Sequence, residues 1–121
     1  MVVGHEIIGQ VVSKGSRVSG LEIGDRVGIG PQTGSCQSCG SCDQGQDQHC
    51  SRKYKSYNSV TGNPIQPHTY GGFAEAIRVK AKWAFKIPDG MDSIATAPLL
   101  CAGITTWMPV CRAGEALFDL I

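Results

Sequence analysis

The amino-acid sequence predicts a mainly β domain with many tight turns and one irregular loop that a metal ion organises. Glycine supplies 16 of the 121 residues, nearly twice the share of about 7% in average proteins, and only 17% of the residues are charged. Short β-branched segments alternate with turn residues, which is typical of strands and their connections. Four of the 6 cysteines lie between positions 36 and 50, in a stretch with almost no apolar side chains.

Charge and hydropathy exclude several classes of protein. The net charge of +1 gives no sign of a polyanionic partner, so we expect no nucleic acid. The N-terminus lacks a basic, apolar signal segment, and no apolar run approaches the roughly 18 residues of a membrane span. We therefore expect no membrane association and a cytoplasmic location, where thiols stay reduced.

Strand signals frame a long aperiodic loop. Residues 31–70 are rich in Gly, Ser, Gln and Asn and show no periodicity, so a loop of this length needs an organiser. On either side of it, β-branched or alternating apolar residues predict strands. The predicted strands lie near residues 7–12, at 26–29, at 73–79 and at 83–87.

Helix signals are confined to the C-terminal part of the chain. Asp92 or Ser93 can cap a short helix that ends at Ala97. Pro98 cannot continue that helix, but it suits the first position of another one. A second helix is therefore predicted from Pro98 toward Val110.

The loop contains the motif C-x2-C-x2-C-x7-C, formed by Cys36, Cys39, Cys42 and Cys50. Four thiolates at this spacing can converge on one tetrahedral zinc ion, and four sulfur ligands without an open position make a structural site. His49 adjoins the last cysteine, but four cysteines already fill the coordination sphere. We therefore predict a structural zinc in this loop.

Other interpretations of the cysteines are weaker. The spacing fits neither the bacterial nor the plant-type iron–sulfur pattern. Disulfides are disfavoured in a reducing compartment, and a redox pair of Cys36 and Cys39 would lack the βαβ context of such motifs. Free-thiol counts before and after zinc removal would distinguish these alternatives from zinc.

Two further segments carry a family resemblance. The segment GHEIIGQ from Gly4, followed by Gly15 and Val18, resembles the zinc signature of the zinc-dependent alcohol dehydrogenases of the medium-chain dehydrogenase/reductase superfamily. The four-cysteine spacing is similar to that family's structural-zinc lobe. The segment around Cys101, PLLCAGITT, resembles the one that carries a catalytic-zinc cysteine in this family. Its sequence is most similar to that of the cinnamyl alcohol dehydrogenases. The resemblance runs from Val2 to about Gly114.

This resemblance implies a mainly β, GroES-like, partly open barrel with an irregular structural-zinc lobe and short C-terminal helices. We expect a partial GroES-like catalytic domain at residues 1–114, with the zinc lobe inserted at 31–57, and a divergent tail at 115–121. The glycines of the 28–31 segment lead into the cysteine loop rather than a helix, so the nucleotide-binding domain is expected to be absent. Unpaired edges of a barrel that lacks its first strands favour homo-oligomerisation.

The resemblance also implies a second metal site. His5 and Cys101 would be ligands of a catalytic zinc, and the family's third ligand, a cysteine upstream of Gly4, is not in this sequence. An imidazole nitrogen and a thiolate are both good zinc ligands. Glu6 would orient the site or approach the metal, and Thr105 would pack beside the nicotinamide ring of the cofactor.

The implied activity is that of an NADP-dependent oxidoreductase, which moves a hydride between a primary alcohol and the nicotinamide cofactor. A small alcohol or aldehyde would be the partner of the full-length parent, whereas the isolated chain is expected to be inactive. The alternative is a non-catalytic, zinc-stabilised binding module that uses the basic residues near 52–55 with Tyr54 and Tyr57.

Several polar residues receive no functional role from the sequence. His68 and Cys111 match no motif. Asp25 and Arg26 are interpreted as turn and surface residues.

Overall fold

The structure, a computed structural model, describes the backbone of residues 2–117 and the side chains of residues 2–113. Part of the predicted tail, residues 118–121, therefore lies outside the described residues. The strands are β1 (Ile7–Gln10), β2 (Arg26–Ile29), β3 (Gln32–Gly34), β4 (Tyr54–Lys55) and β5 (Phe85–Lys86). The helices are α1 (Gly40–Asp43), α2 (Ser93–Thr96) and α3 (Ala102–Leu117), with 3₁₀ turns at Asp47–His49, Ala81–Trp83 and Ala97–Leu100.

The larger sheet is antiparallel, and β2 lies between β1 and β5. In its register Gly28 pairs with Ile8 on one side and with Phe85 on the other. Alternation along a strand sends side chains to opposite faces, but β2 is buried from Val27 to Ile29 because the chain covers both of its faces. The core is formed by Leu21, Val27, Ile29, Trp83 and Ile87.

The smaller sheet pairs β3 with β4 inside the predicted zinc lobe. Gly34 pairs with Tyr54, and a Cβ atom at Gly34 would lie only 1.8 Å from the Cζ atom of the Tyr54 ring. Glycine at this position therefore lets the tyrosine ring cover the strand. The ring is half-buried in this contact.

Two sequence predictions on the loop and the strands need correction. Residues 31–70 are not one unstructured loop, because β3, α1, a 3₁₀ turn and β4 lie within them. Residues 73–79 do not form the predicted strand. The backbone of Gly71, Gly72 and Phe73 is hydrogen-bonded to residues 2–4, but past Phe73 the described residues supply no ladder partner. The segment instead faces β1 across a cavity of about 560 Å³.

The C-terminal helices also differ from the prediction in detail. Asp92 caps α2 as expected, since its carboxylate accepts the amide of Ala95 at 2.9 Å. Pro98, however, lies in a 3₁₀ turn, and the chain leaves helical geometry at Cys101, where φ is −130° and ψ is −68°. The second helix, α3, therefore begins only after Cys101 and continues past Val110.

No single helix in the described part of the chain is long and apolar enough to cross a bilayer. The segments 93–100 and 102–113 meet the length and composition criteria only together, across a bend of 60°.

Asp25 and Arg26 do more than occupy a turn. The Arg26 guanidinium donates to the Pro88 carbonyl at 2.9 Å and to the Ser93 hydroxyl at 3.0 Å, which ties β2 to the start of α2. The Asp25 carboxylate pairs with the Lys86 ammonium at 2.7 Å. These contacts hold β5 and α2 against the central strand.

The Asp25–Lys86 pair is expected to make the stability of the domain depend on pH. The Lys86 hydrogen bond, with help from the Glu22 amide, holds the pKa of the Asp25 carboxyl below its ordinary value of 3.8. A carboxyl with a lowered folded-state pKa stabilises the fold above its unfolded pKa, and loses that contribution as the pH falls through the folded value. The same pair raises the pKa of Lys86 above 10.5, so its contribution is lost as the pH rises through that raised value.

Urea unfolding of wild type and Asp25→Asn from about pH 7 down to about pH 3 tests this linkage. The difference in unfolding free energy between the two proteins should be constant near neutrality and shrink below pH 3.8. Glu75→Gln, at an exposed position whose charge is not among the causes that shift the pKa of Asp25 or Lys86, serves as the control. A difference that stays constant through the acid range would exclude the proposed linkage.

Candidate metal centres

The first candidate centre gathers the four predicted cysteines around α1. Cys39 is the N-cap residue of α1 and Cys42 lies within it. Cys36 follows β3, and Cys50 follows the 3₁₀ turn 47–49, where its side chain is only 1% exposed. Two short turns and the end of a strand therefore direct four sulfur atoms to one point.

The sulfur geometry fits a tetrahedral ion. The four Sγ atoms all lie within 4.8 Å of one another. Individual separations are 3.5 Å for Cys36–Cys50, 3.6 Å for Cys39–Cys42 and 3.9 Å for Cys36–Cys42. Zinc–sulfur bonds of about 2.3 Å in a tetrahedron place sulfur atoms roughly 3.8 Å apart. The cluster could therefore hold zinc with little rearrangement.

The disulfide alternative does not fit this geometry. A disulfide needs sulfur atoms about 2.05 Å apart, and each of the separations above is far longer. All six cysteines of the chain fall within the described residues, and each is free.

The thiols of this cluster ionise unequally. A backbone hydrogen bond from Ser38 lowers the pKa of Cys36 to about 6. The Cys42 amide favours the Cys39 thiolate, yet hydrogen bonds with the Cys36 and Cys42 sulfurs outweigh it and raise the pKa of Cys39 to about 11. Burial opposes ionisation of Cys42, but the Ser35 hydroxyl and Cys39 together lower its pKa. Metal binding at this cluster would therefore displace the protons that remain on its thiols.

Asp47 supports this cluster through contacts with Ser35 and Lys82. Its carboxylate is buried, accepts the Ser35 hydroxyl at 2.5 Å and pairs with Lys82 at 2.7 Å. These two hydrogen bonds, Lys82 first, hold the pKa of Asp47 below its ordinary value. Sequence reasoning missed this residue, and the available signal was weak, because Asp47 is one of two acidic side chains, with Asp43, in a long polar loop. The pair connects the lobe to the 3₁₀ turn at 81–83.

The second candidate centre brings together His5, Glu6 and Cys101. One ligand atom from each lies within 4.8 Å of the others. His5 and Glu6 directly precede β1, whereas Cys101 occupies the break before α3. The Glu6 carboxylate also accepts the Ala102 amide at 3.4 Å. A nitrogen, a carboxylate oxygen and a sulfur make a donor set that suits zinc.

The backbone around Gly4 places His5. Gly4 has a φ of +102°, and a Cβ atom there would lie 3.0 Å from the Phe73 ring. The Gly72 amide donates to the Gly4 carbonyl at 3.0 Å, and the Phe73 amide donates to the Val3 carbonyl at 3.0 Å. Glycine is needed here both for the left-handed conformation and for the close approach of the two segments.

Gly28 in β2 and Gly30 directly after the strand help to place Cys101. A Cβ atom at Gly28 would lie 2.7 Å from Cδ2 of Leu100, and one at Gly30 would lie 3.0 Å from the Leu100 carbonyl. The lack of side chains at these two positions lets Leu100 lie close against this segment. The glycine pair, which superficially resembles a dinucleotide motif, leads into β3 and not into a helix.

The remaining candidate residues lie around these two groups. Thr105 lies one helical turn past Cys101, and its amide donates a hydrogen bond to the Cys101 carbonyl at 3.0 Å. Its side chain is exposed and does not belong to the second metal group. His49, His68 and Cys111 are exposed and join neither group. Tyr57 packs its ring on His5, with 5.7 Å between ring centroids. Tyr54 packs against Gly34. Both tyrosines that the binding-module alternative would use therefore contact other residues of this chain.

Comparison with known proteins identifies the chain's relatives. Residues 1–89 match the family described as the alcohol dehydrogenase GroES-like domain. A probable cinnamyl alcohol dehydrogenase 1 from Eucalyptus gunnii is 46% identical over 116 residues. That match covers 94% of this chain and 32% of the relative.

Solved structures agree with the sequence matches. Cinnamyl alcohol dehydrogenase from Sorghum bicolor aligns with a TM-score of 0.88 and 32% identity, over 94% of this chain and 32% of that one. CAD from Helicobacter pylori, complexed with NADP(H), aligns with a TM-score of 0.87 and 32% identity, over 94% and 33%. The GroES-like fold class is thus confirmed, although the strands of the described residues form two open sheets rather than a closed barrel. The chain spans about a third of the length of these relatives.

Proposed function

Because the chain belongs to the alcohol dehydrogenase GroES-like domain family, we propose that it forms part of the catalytic domain of an NADP(H)-dependent zinc alcohol dehydrogenase. The reaction would transfer a hydride between a primary alcohol and the nicotinamide. The observation that carries this proposal is the convergence of His5, Glu6 and Cys101. These side chains come from opposite ends of the chain, and together they offer the donors of a zinc site in the domain of that family.

The second centre would hold the catalytic metal through His5 and Cys101. A zinc ion there supplies Lewis acidity toward the oxygen of an alcohol or aldehyde. Glu6, on the amide of Ala102, is placed to orient the group or to approach the metal. Thr105, on the next turn of α3, would pack beside the nicotinamide. The relatives' names support an aromatic alcohol or aldehyde as the substrate class.

The four-cysteine centre would hold a second zinc with a structural role. Support comes from the sulfur separations and from the saturated donor set, which leaves no position for a substrate. In domain terms, we propose a partial catalytic domain at residues 1–114, the zinc lobe at 31–57 and a divergent tail at 115–121.

We further propose that the 121 residues do not catalyse the reaction by themselves. Within the described residues, the catalytic group offers only His5, Glu6 and Cys101 as ligands. In the same part of the chain, no glycine-rich turn joins a strand to a helix in the way that dinucleotide binding requires. The cofactor pocket and most of the substrate pocket would be formed by other polypeptide.

Metal analysis and an assay of the purified chain test these proposals. We expect one tightly bound zinc per chain at the cysteine cluster and weaker metal binding at the second centre. We expect no NADPH binding and no measurable NADPH-dependent reduction of cinnamaldehyde. Cys50→Ser should lose the zinc, whereas His5→Ala should retain it, because His5 lies outside the cysteine cluster. Metal-replete protein without zinc would refute the structural site. Measurable turnover would refute the proposed inactivity.

A further inference from the structure

Tyr57 is the aromatic neighbour of the His5 imidazole. The two ring centroids are 5.7 Å apart, and the ring planes are inclined by 31°. This separation lies within the range of about 4.5–7 Å in which aromatic pairs attract. Tyr57 is itself half-buried.

The backbone on both sides of Tyr57 is anchored. Ser56 is 1% exposed, and its amide donates to the Pro31 carbonyl at 2.8 Å. On the other side, the Asn58 amide donates to the Thr69 carbonyl at 3.0 Å, and Asn58 has a φ of +50°. A non-glycine residue in this left-handed region is held there by its surroundings. The fold, rather than local flexibility, therefore sets the position of the Tyr57 ring.

The orientation of the His5 ring is expected to depend on this contact. In metalloproteins the second ring nitrogen of a histidine ligand usually donates to a carboxylate or carbonyl, and that bond fixes the ring. Among the described hydrogen bonds, the side-chain bond nearest to His5 in sequence belongs to Glu6, and none involves the imidazole. Among the described contacts, packing on Tyr57 is the one that can restrict rotation of the His5 ring through its face.

The geometry points to Tyr57 as a positioning residue that fixes the His5 imidazole through ring packing, and so connects the zinc lobe to the second centre. The importance of this contact for metal binding rests on the proposed function. The ring contact itself does not rest on it, because it follows from the positions of the two rings alone. The attraction comes from the ring face, so phenylalanine should replace tyrosine and an aliphatic side chain should not.

Histidine-ring NMR spectra of the zinc-loaded chain test the packing directly. The chain has 3 histidines, so His49 and His68 serve as internal references. Wild type should show cross-relaxation between the rings of His5 and Tyr57. Tyr57→Leu should shift the His5 ring signals while those of the other two stay in place, and Tyr57→Phe should leave all three near their wild-type positions.

Cobalt titration provides the metal readout. Tyr57→Leu should raise the dissociation constant of the second cobalt ion about tenfold, at the lower end of what loss of a ligand's supporting partner causes. Tyr57→Phe should restore wild-type binding. Tyr70→Leu is the matched control, since Tyr70 is 60% exposed.

The outcomes separate the two proposals. Missing cross-relaxation between the rings in wild type would overturn the positioning role, even if Tyr57→Leu failed to fold. A Phe variant as impaired as the Leu variant would also overturn it, by implicating the hydroxyl group. Wild type that binds no second cobalt ion, but shows the ring contact, would instead count against the proposed function.

Discussion

Replacing Cys50 with serine is expected to disorder residues 31–57 while leaving the larger sheet folded. Apart from Cys50, the buried side chains of this segment are polar, namely those of Thr33, Ser35, Asp47 and Ser56. The apolar core lies outside it, so little hydrophobic burial supports the segment. A structural zinc in small peptides contributes about 10–16 kcal/mol, comparable with the roughly 5–15 kcal/mol that stabilises a whole domain.

Hydrogen–deuterium exchange on Cys50→Ser, and on wild type after chelation, measures this effect. Amides in β3, α1 and β4 should lose protection together, whereas β2 should keep most of its own. Cys111→Ser is the control, because Cys111 is exposed on α3 and belongs to neither metal group. Retention of both zinc and lobe protection in Cys50→Ser would show that something other than the metal orders the lobe.

Gly71→Ala is expected to separate the N-terminal segment from residues 71–73. A Cβ atom at Gly71 would lie 2.2 Å from the Val3 carbonyl oxygen and 2.8 Å from that of Val2. Both are backbone atoms, so no side-chain rotation can relieve the clash. Movement of Val3 would strain the neighbouring hydrogen bond from Phe73. The expected cost is about 1–3 kcal/mol, as for other overpacked positions.

Urea unfolding and cobalt titration of Gly71→Ala check this prediction. Since His5 follows the displaced segment, binding of the second cobalt ion should weaken more than zinc binding at the cysteine cluster. Gly9→Ala is the matched control, because no atom lies within 4 Å of a Cβ built there. If the two alanine variants have the same free energy of unfolding and the same cobalt affinity, the close approach at Gly71 does not contribute to stability.

The features predictable from the sequence are those whose cause is local. The spacing of the cysteines predicted that their sulfur atoms converge, since short gaps between metal ligands are typical of zinc sites. Asp92 predicted the start of α2, because a cap needs only the residues that follow it. His5 and Cys101, distant in sequence, could be paired only through the family resemblance.

The features that could not be predicted depend on distant partners. The alternating pattern of residues 73–79 reports which faces are apolar, but a strand also requires a neighbour for its hydrogen bonds. Asp47 and Lys82 are 35 positions apart, and nothing local to either residue indicates the pair. The packing of Tyr57 on His5 is equally remote, and it depends on the left-handed turn at Asn58.

The seating of Leu100 on Gly28 links two positions that look independent in the sequence. A side chain at position 28 would occupy the space that the leucine fills, 2.7 Å from its Cδ2 atom. The two residues thus divide one fixed volume between them. A larger residue at 28 therefore requires the side chains of Leu100 and Ile87, whose Cδ1 atom lies 3.0 Å from an added Cβ, to move or to become smaller. Substitution at either site is therefore constrained by the other, although neither residue binds metal or substrate.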